Sequence, residues 1–471
     1  MDNKAPSASK ILKRIRKSFS PVQVVVLSFL LIITIGGVLL SLPISHAENV
    51  SVSVLDAFFT AVSAVCVTGL TTLVTATTWS VFGKIVVLFL IQIGGLSLVT
   101  ILAFFMVFAG KKISLKNRLA IQTPLNEPTL GGMARMVMFV IKGVMVVELL
   151  GAMFLFILFL NQGVVWHKAL WYGIFHSISA FCNAGFDVIG ESSLIPYSDA
   201  VGINIVIMTL IITGGIGFIV WDDVFANAKL RLLGRRKRRN NFSLHTKLAL
   251  TVTGVLLLAG TLFFLTAEYS NPKTIGGLTF SQKLLISSFQ STSLRTAGFA
   301  TVAQDGMTEA SKLICSLLMM IGGSPGGTAG GVKTVTLAII LCSVWSIVKG
   351  RTEIVAFERS VSVATLQRAL AVAVLMISLL FIGTTILAMT EDAAKFPHTL
   401  SDLIFEVSSA LGTVGLSTGI TPRLSAAGKI VLMACMFIGR IGPITLIASI
   451  SHGPQIGKEL IRYQKEDVMI G

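Results

Sequence analysis

The sequence predicts an all-α polytopic membrane protein: four tandem span–pore-helix–span units, eight spans and four re-entrant half-helices in all, around a central pore. Three observations carry this. Mean hydropathy is +0.84, with 54% hydrophobic and 13% charged residues, which excludes an ordinary soluble globule. One glycine-ended motif occurs four times at a long, nearly constant period. Cations gather in short clusters that alternate with the motifs along the chain.

The repeat governs every local reading. Its copies are Val62–Thr71, Ile178–Asp187, Ser291–Ala300 and Ser408–Ser417, aligned on Gly69, Gly185, Gly298 and Gly415. Ser63, Ser179, Thr292 and Ser409 stand six positions earlier. Leu70, Phe186, Phe299 and Leu416 follow directly, as apolar anchors that pack outward.

Residues 1–20 form a basic N-terminal segment with no cleavable signal pattern. Unit 1 (21–109) opens with the span Pro21–Pro43, near the roughly 20 apolar residues a crossing helix needs. Leu55–Val65 is too short to cross and reads as a half-helix followed by extended backbone. Such backbone is tolerated at membrane depth only where it lines a cavity or is buried in protein. Phe82–Phe108 is the return span. Unit 2 (135–228) repeats this with Arg135–Leu160, Ala169–Phe181 and Val201–Trp221. Unit 3 (246–349) has Thr246–Thr266, Gln282–Ser293 and a broken Lys312–Val348. Unit 4 (366–453) has Leu366–Met389, Leu400–Leu411 and Ala427–Ile450. Segments 110–134, 229–245 and 350–365 connect the units, and 454–471 is a tail. Each second span ends in a glycine signature: Gly94-Gly95, Gly214-Gly215, Gly322-Gly323 and Gly439-Arg440. Glycine there allows close helix approach.

Charge sets the orientation. Lys4–Lys17, Lys111–Arg118, Lys229–Arg239, Lys349–Arg368 and Lys458–Lys465 hold most of the cations, all on one side of the predicted topology. That side is cytoplasmic, with both termini inside and the motifs facing out of the cell membrane. The net charge of +16 is therefore topological and does not point to nucleic acid. Five cysteines without CxxC spacing read as small buried hydrophobes. Six histidines without HExxH spacing leave an enzyme no metal set, and His176 reads as packing or polar support. A two-fold metabolite carrier fits poorly with four similar units.

Four symmetric loops with one glycine each suit a dehydrated cation, whose lost water shell must be replaced by converging backbone carbonyls. Glycine removes the Cβ that would obstruct the axis. Half-helices ending at the loops aim their negative dipole ends at the centre. The candidate ion-binding residues are Val67, Thr68, Gly69, Asn183, Ala184, Gly185, Thr296, Ala297, Gly298, Thr413, Val414 and Gly415.

With these motifs the chain resembles the Trk/Ktr/HKT superfamily of potassium transporters, over residue 21 to the end. It is closest to the KtrB-type membrane subunit, because only a short basic stretch precedes unit 1 where the TrkH branch carries a further pair of spans. The resemblance implies K⁺ uptake, with Na⁺ as a second candidate ion and no organic cofactor. It also implies a homodimer and a cytosolic nucleotide-binding ring of the KtrA type. The basic 229–239 loop and the tail Gln464–Gly471 are candidate docking or dimer surfaces, and the basic loop is equally an ordinary positive-inside, lipid-facing segment.

Two features depart from the repeat. Gly322-Gly323-Ser324-Pro325-Gly326-Gly327-Thr328-Ala329-Gly330-Gly331 interrupts the second span of unit 3. No continuous helix survives that composition, and Val332 spoils a phosphate-loop spacing before Lys333. The segment is either a plain helix break or a mobile intramembrane loop that obstructs the path. The resemblance implies the gating loop. Arg440 replaces glycine in unit 4 at the same level. It either faces the axis and anchors this loop or pairs with an acid such as Glu406; the resemblance implies the constriction. Arg295, Asn183 and Asp187 either support the loops or set ion preference.

Overall fold

The computed structural model describes residues 21–96, 133–232, 242–392 and 397–450. The N-terminal and Lys111–Arg118 clusters, Arg235–Arg239, residues 97–109 of unit 1 and the tail from residue 451 lie outside them. The regular structure of the described residues is helical, apart from one two-stranded hairpin.

Unit 1 comprises α1 (Pro21–Ser41), α2 (Val54–Val65) and α3 (Val81–Gly95). Unit 2 comprises α4 (Met133–Asn161), α5 (Trp166–Phe181), α6 (Val201–Ile216) and α7 (Phe218–Leu232). Unit 3 has α8 (Leu244–Ala267), α9 (Phe280–Ser293), α10 (Glu309–Met320) and α11 (Thr334–Val348). The strands β1 (Ile354–Ala356) and β2 (Arg359–Val361) turn into unit 4. Unit 4 has α12 (Val363–Glu391), α13 (Leu400–Gly412), α14 (Ala426–Ile441) and α15 (Pro443–Ile450).

The first helix of each unit (α1, α4, α8, α12) is long and apolar enough to cross a membrane. The second spans of units 2 and 4 are not the continuous helices expected. In unit 2 the chain bends by 98° between α6 and α7, so Val201–Trp221 is not one rod. In unit 4 it bends by 92° between α14 and α15, so neither is Ala427–Ile450. The hinges are Gly217 and Gly442, at φ +98° and +90°, a region open to glycine at little cost. In unit 3 the break between α10 and α11 falls at the predicted glycine-rich stretch.

Short helices (α2, α5, α9, α13) fall where the apolar runs placed the half-helices. Twelve-residue α2 is about 18 Å long, roughly half the hydrocarbon thickness. Ser53 caps α2 by accepting from the Asp56 amide at 3.1 Å, and Thr399 with Asp402 forms a capping box on α13. Leu70, Phe186, Phe299 and Leu416 are all buried, so the residue after each loop glycine is indeed an apolar anchor.

At the end of the bundle where the half-helices begin, unit 1 is tied differently from units 3 and 4. In unit 1, Ser80 Oγ donates to the Ile44 carbonyl at 2.7 Å. In units 3 and 4 a buried carboxylate ends the first span and caps the second. Glu268 accepts from the Thr308 amide at 3.0 Å, and Glu391 accepts from Ser425 Oγ at 2.6 Å. Ion pairs then join neighbouring units. Lys312 of α10 meets Asp402 of α13 at 2.9 Å, and Lys429 of α14 meets Asp56 of α2 at 2.8 Å. The second pair closes the last unit onto the first.

Asp56→Asn should lower thermal stability in detergent by about 1–2 kcal/mol at pH 7, between the values of exposed and buried pairs. Burial pushes the Asp56 carboxyl up, but Lys429, Ser53 and Thr72 together hold it below the usual aspartate value. A carboxyl lowered by folding contributes stability above its ordinary pKa and loses it as pH falls through the folded one. The difference between wild type and variant should therefore begin to shrink near pH 4 and vanish only below the lowered folded value. Equal unfolding midpoints at pH 7 would show that the pair does not support the fold.

Candidate functional site: a ring of four glycine loops

The four half-helices end on loops that share one backbone form. Two residues before each glycine the chain is left-handed, at Val67, Asn183, Thr296 and Thr413 (φ +54°, +59°, +68° and +52°). It is left-handed again at Gly69, Gly185, Gly298 and Gly415 (φ +92°, +69°, +81° and +97°). Serine hydroxyls brace the loops from behind. Ser63 and Ser409 accept from the amides of Gly69 and Gly415 at 3.0 Å, and Ser179 donates to the Phe186 carbonyl at 2.8 Å.

In unit 3 the brace is Ser293, which donates to the Phe299 carbonyl at 2.5 Å. Thr292, the position aligned with the other three serines, instead donates to the Ser288 carbonyl of its own helix at 2.8 Å. The reason is register. The amides of Thr68, Ala184 and Val414 each reach back five residues to a serine carbonyl, whereas Ala297 reaches back four to Ser293. The third loop is one residue shorter, and counting back from Gly298 lands one position too early.

The loops close on one another in chain order. A Cβ on Gly69 would strike the Ala184 carbonyl, and one on Gly185 would lie 2.7 Å from the Ala297 carbonyl. One on Gly298 would lie 2.5 Å from the Val414 carbonyl, and one on Gly415 would strike the Thr68 carbonyl. Each glycine faces the carbonyl of the residue before the next unit's glycine, and the fourth returns to the first. Thus Thr68, Ala184, Ala297 and Val414 form one four-membered level with the glycines. Asn183 braces the seam between units 2 and 3. Its amide donates to the Ala180 and Ile211 carbonyls at 3.2 Å, and it stands 3.3 Å from the Thr296 hydroxyl. Asp187 lies two residues beyond Gly185, half-buried, with Oδ1 lacking a side-chain partner.

Behind the ring, the second-span glycines back onto the carbonyl ends of the half-helices. Gly94 abuts the Val65 carbonyl, Gly214 that of Phe181 and Gly439 that of Leu411. In unit 3 the corresponding Gly322 abuts Gly330 of the glycine-rich stretch instead. That stretch, Gly322–Gly331, lies beneath the ring. Its ends meet through Gly322 N to the Val332 carbonyl at 2.9 Å. Ser324 and Thr328 donate backbone N–H to Gly215 and Gly214 at 2.8 and 3.2 Å, and Gly326 accepts from Phe218 at 3.1 Å. The Thr328 hydroxyl reaches the Phe181 carbonyl, at the end of the second half-helix, at 3.1 Å. Gly330 presses against Thr413, leaving no space for a side chain. Three cations hold the stretch. Arg440 donates through Nη1 to the Thr328 carbonyl and through Nη2 to the Gly94 carbonyl. Arg295 donates to the Gly322 carbonyl at 3.0 Å, and Lys333 to the Ala329 carbonyl at 2.6 Å.

Arg440 does not pair with Glu406, whose partners are Ser417, Thr418 and Thr421. Arg295 is a brace within unit 3, since it also donates to the Thr253 carbonyl of α8 at 3.3 Å. Lys333 escaped the sequence reading, where it served only to reject a phosphate loop. Its place directly after the stretch was the available signal.

Residues 21–455 match the family described as TrkH, cation transport protein. The chain belongs to that family. TrkH-family relatives match it along nearly their whole lengths. The Ktr system potassium uptake protein B of Bacillus subtilis is 41% identical over 462 residues, covering 98% of this chain and 99% of the relative. The potassium/sodium uptake protein NtpJ of Enterococcus hirae is 38% identical over 459 residues, with the same coverage. The crystal structure of the potassium transporter TrkH from Vibrio parahaemolyticus superposes with a TM-score of 0.70 at 18% identity, covering 92% of this chain and 84% of that one. At that identity the likeness speaks for the fold alone.

Gly185→Ala should destabilise the protein by about 1–3 kcal/mol, because it adds a Cβ at positive φ against a backbone carbonyl. Gly190→Ala, with open space around it, should leave the unfolding midpoint unchanged. Equal midpoints for both variants would refute the tight ring.

Proposed function

We propose that the protein takes up K⁺ across the cell membrane through the four-loop ring. Residues 67–69, 183–185, 296–298 and 413–415 are the ion-binding selectivity filter. The observation that carries this is the cyclic facing of four glycines and four carbonyls. A cation on that axis exchanges its water shell for fixed carbonyl dipoles, and the carbonyl ends of the half-helices add negative potential. One glycine per loop gives few ordered sites, so Na⁺ is discriminated against moderately and serves as a competing or coupled ion. The potassium and sodium named for the relatives agree with this reading.

The gate is Gly322–Gly331 with Arg440. Its backbone crosses beneath the ring, and Arg440 puts a permanent positive charge at the same level, where it repels a cation. Opening requires the stretch to leave Gly214, Gly215 and Thr413. Transport involves no covalent chemistry. The functional unit is a homodimer in the plasma membrane with both termini cytoplasmic, and a cytosolic nucleotide-binding ring of the KtrA type acts on the gate from that side.

Flux of K⁺, Rb⁺ and Na⁺ into liposomes holding the purified protein tests the filter. Wild type should pass K⁺ and Rb⁺ faster than Na⁺, and Gly298→Ser should lose most of that preference. Equal K⁺ and Na⁺ rates in the wild type would sink the proposal.

Removing Gly326–Gly331 tests the gate in the same liposomes. K⁺ flux should rise and its control by the cytosolic ring should weaken. Unchanged flux and unchanged control would assign the stretch to structure alone.

A further inference from the structure

Each half-helix carries a buried polar side chain at one equivalent position, nine residues before the loop glycine and eight in the shorter unit 3. The four are Thr60, His176, Gln290 and Glu406. They make different contacts. Thr60 donates to the Asp56 carbonyl of its own helix at 2.9 Å. His176 uses Nδ1 on the Tyr172 carbonyl at 2.7 Å and sits among the rings of Phe159, Phe175 and Phe299, with Nε2 unpartnered. Gln290 exchanges amide hydrogen bonds with Gln304 at 2.6 and 3.2 Å, so it fastens the chain beyond Gly298.

Glu406 makes the largest set of contacts. Fully buried, it accepts from Ser417 Oγ at 2.6 Å, the Thr418 amide at 2.9 Å and Thr421 Oγ1 at 2.5 Å. All three donors belong to the segment directly beyond Gly415. The carboxyl group has no cation within ion-pair reach among the described residues, so these donors, with the Thr418 hydroxyl at 3.5 Å, satisfy it. The segment cannot drift outward without stranding a buried acceptor, which is costly. Gly415 itself is held from the other side by Ser409. The fourth loop is therefore clamped on both sides of its glycine.

We propose that Glu406 is a positioning residue for the filter: it holds Ser417–Thr421, and through them the carbonyls flanking Gly415, so that ion discrimination depends on it. This rests on the filter reading above and adds a determinant outside the ring. It also assigns the outer support of the filter unequally. Units 3 and 4 brace the chain beyond the glycine through this position, whereas Thr60 and His176 bond only their own helices.

The test uses full-length protein with Glu406→Ala, Glu406→Gln and Ser417→Ala, and two readouts. One is hydrogen–deuterium exchange across residues 413–423, and the other is the K⁺/Na⁺ flux ratio in liposomes. Glu406→Ala should exchange faster in that segment and lose about tenfold in the ratio, the scale of one lost buried hydrogen bond. Glu406→Gln fills the same volume but turns a donor toward donors, so it should fall between wild type and Glu406→Ala. A wild-type-like Glu406→Gln would mean that Glu406 acts by packing, and the proposal fails. Faster exchange with an unchanged flux ratio also overturns it. Should Glu406→Ala not fold, Ser417→Ala is judged by the same criteria, with a smaller shift expected. If the wild type shows no preference for K⁺, the filter reading falls, and the exchange data still decide whether Glu406 clamps the segment.

Discussion

Four backbone segments meet on one axis so closely that no side chain fits between them. Most other features of the molecule follow from that approach. Bringing carbonyls of Thr68, Ala184, Ala297 and Val414 against the glycines of neighbouring units sets oxygen beside oxygen around one level. Such a level is electrostatically unfavourable when empty and favourable around a cation. It survives because each loop is braced from behind by serine, anchored by a buried apolar residue and continuous with a half-helix. The bundle of first spans supplies the outer wall.

The same constraint explains the polar economy of the interior. Irregular backbone at membrane depth has no water to satisfy it. The stretch Gly322–Gly331 finds partners in unit 2 at Gly214, Gly215, Phe181 and Phe218, and in unit 4 at Arg440. It is a segment of unit 3 that places part of its bonding in its neighbours and part in its own unit, at Val332, Arg295 and Lys333. The Gly214 and Gly439 positions permit this by letting helices lean on the exposed carbonyl ends of the half-helices.

Much of this was legible in the sequence because it is repetitive. The half-helices, the loop glycines, the apolar anchors and the level shared by Arg440 and Gly322–Gly331 all follow from aligning four copies. What escaped depended on tertiary geometry or on small departures from the repeat. Composition marks Gly217 and Gly442 as glycines but not as bends of 98° and 92°. The one-residue shortening before Gly298 moved the brace from Thr292 to Ser293, which a fixed offset cannot detect. The pairs Lys312–Asp402 and Lys429–Asp56 join residues distant in sequence, and no local pattern announces them. Glu406 was legible as a buried acid, but its choice of hydroxyls and an amide over Arg440 is a matter of three-dimensional reach.

The manner in which Arg440 is held has a further consequence. Its partners are carbonyl oxygens of Thr328 and Gly94, and none of the described carboxylates pairs with it. A guanidinium stays charged across the physiological range, and a backbone carbonyl does not titrate there. The fastening therefore has no proton-sensitive component, and a swing in acidity on either side of the membrane leaves it unchanged. Under the gating proposed above, its release is a matter of work done on the backbone, and the nearest place to apply it is the 92° bend at Gly442, two residues on, between α14 and α15.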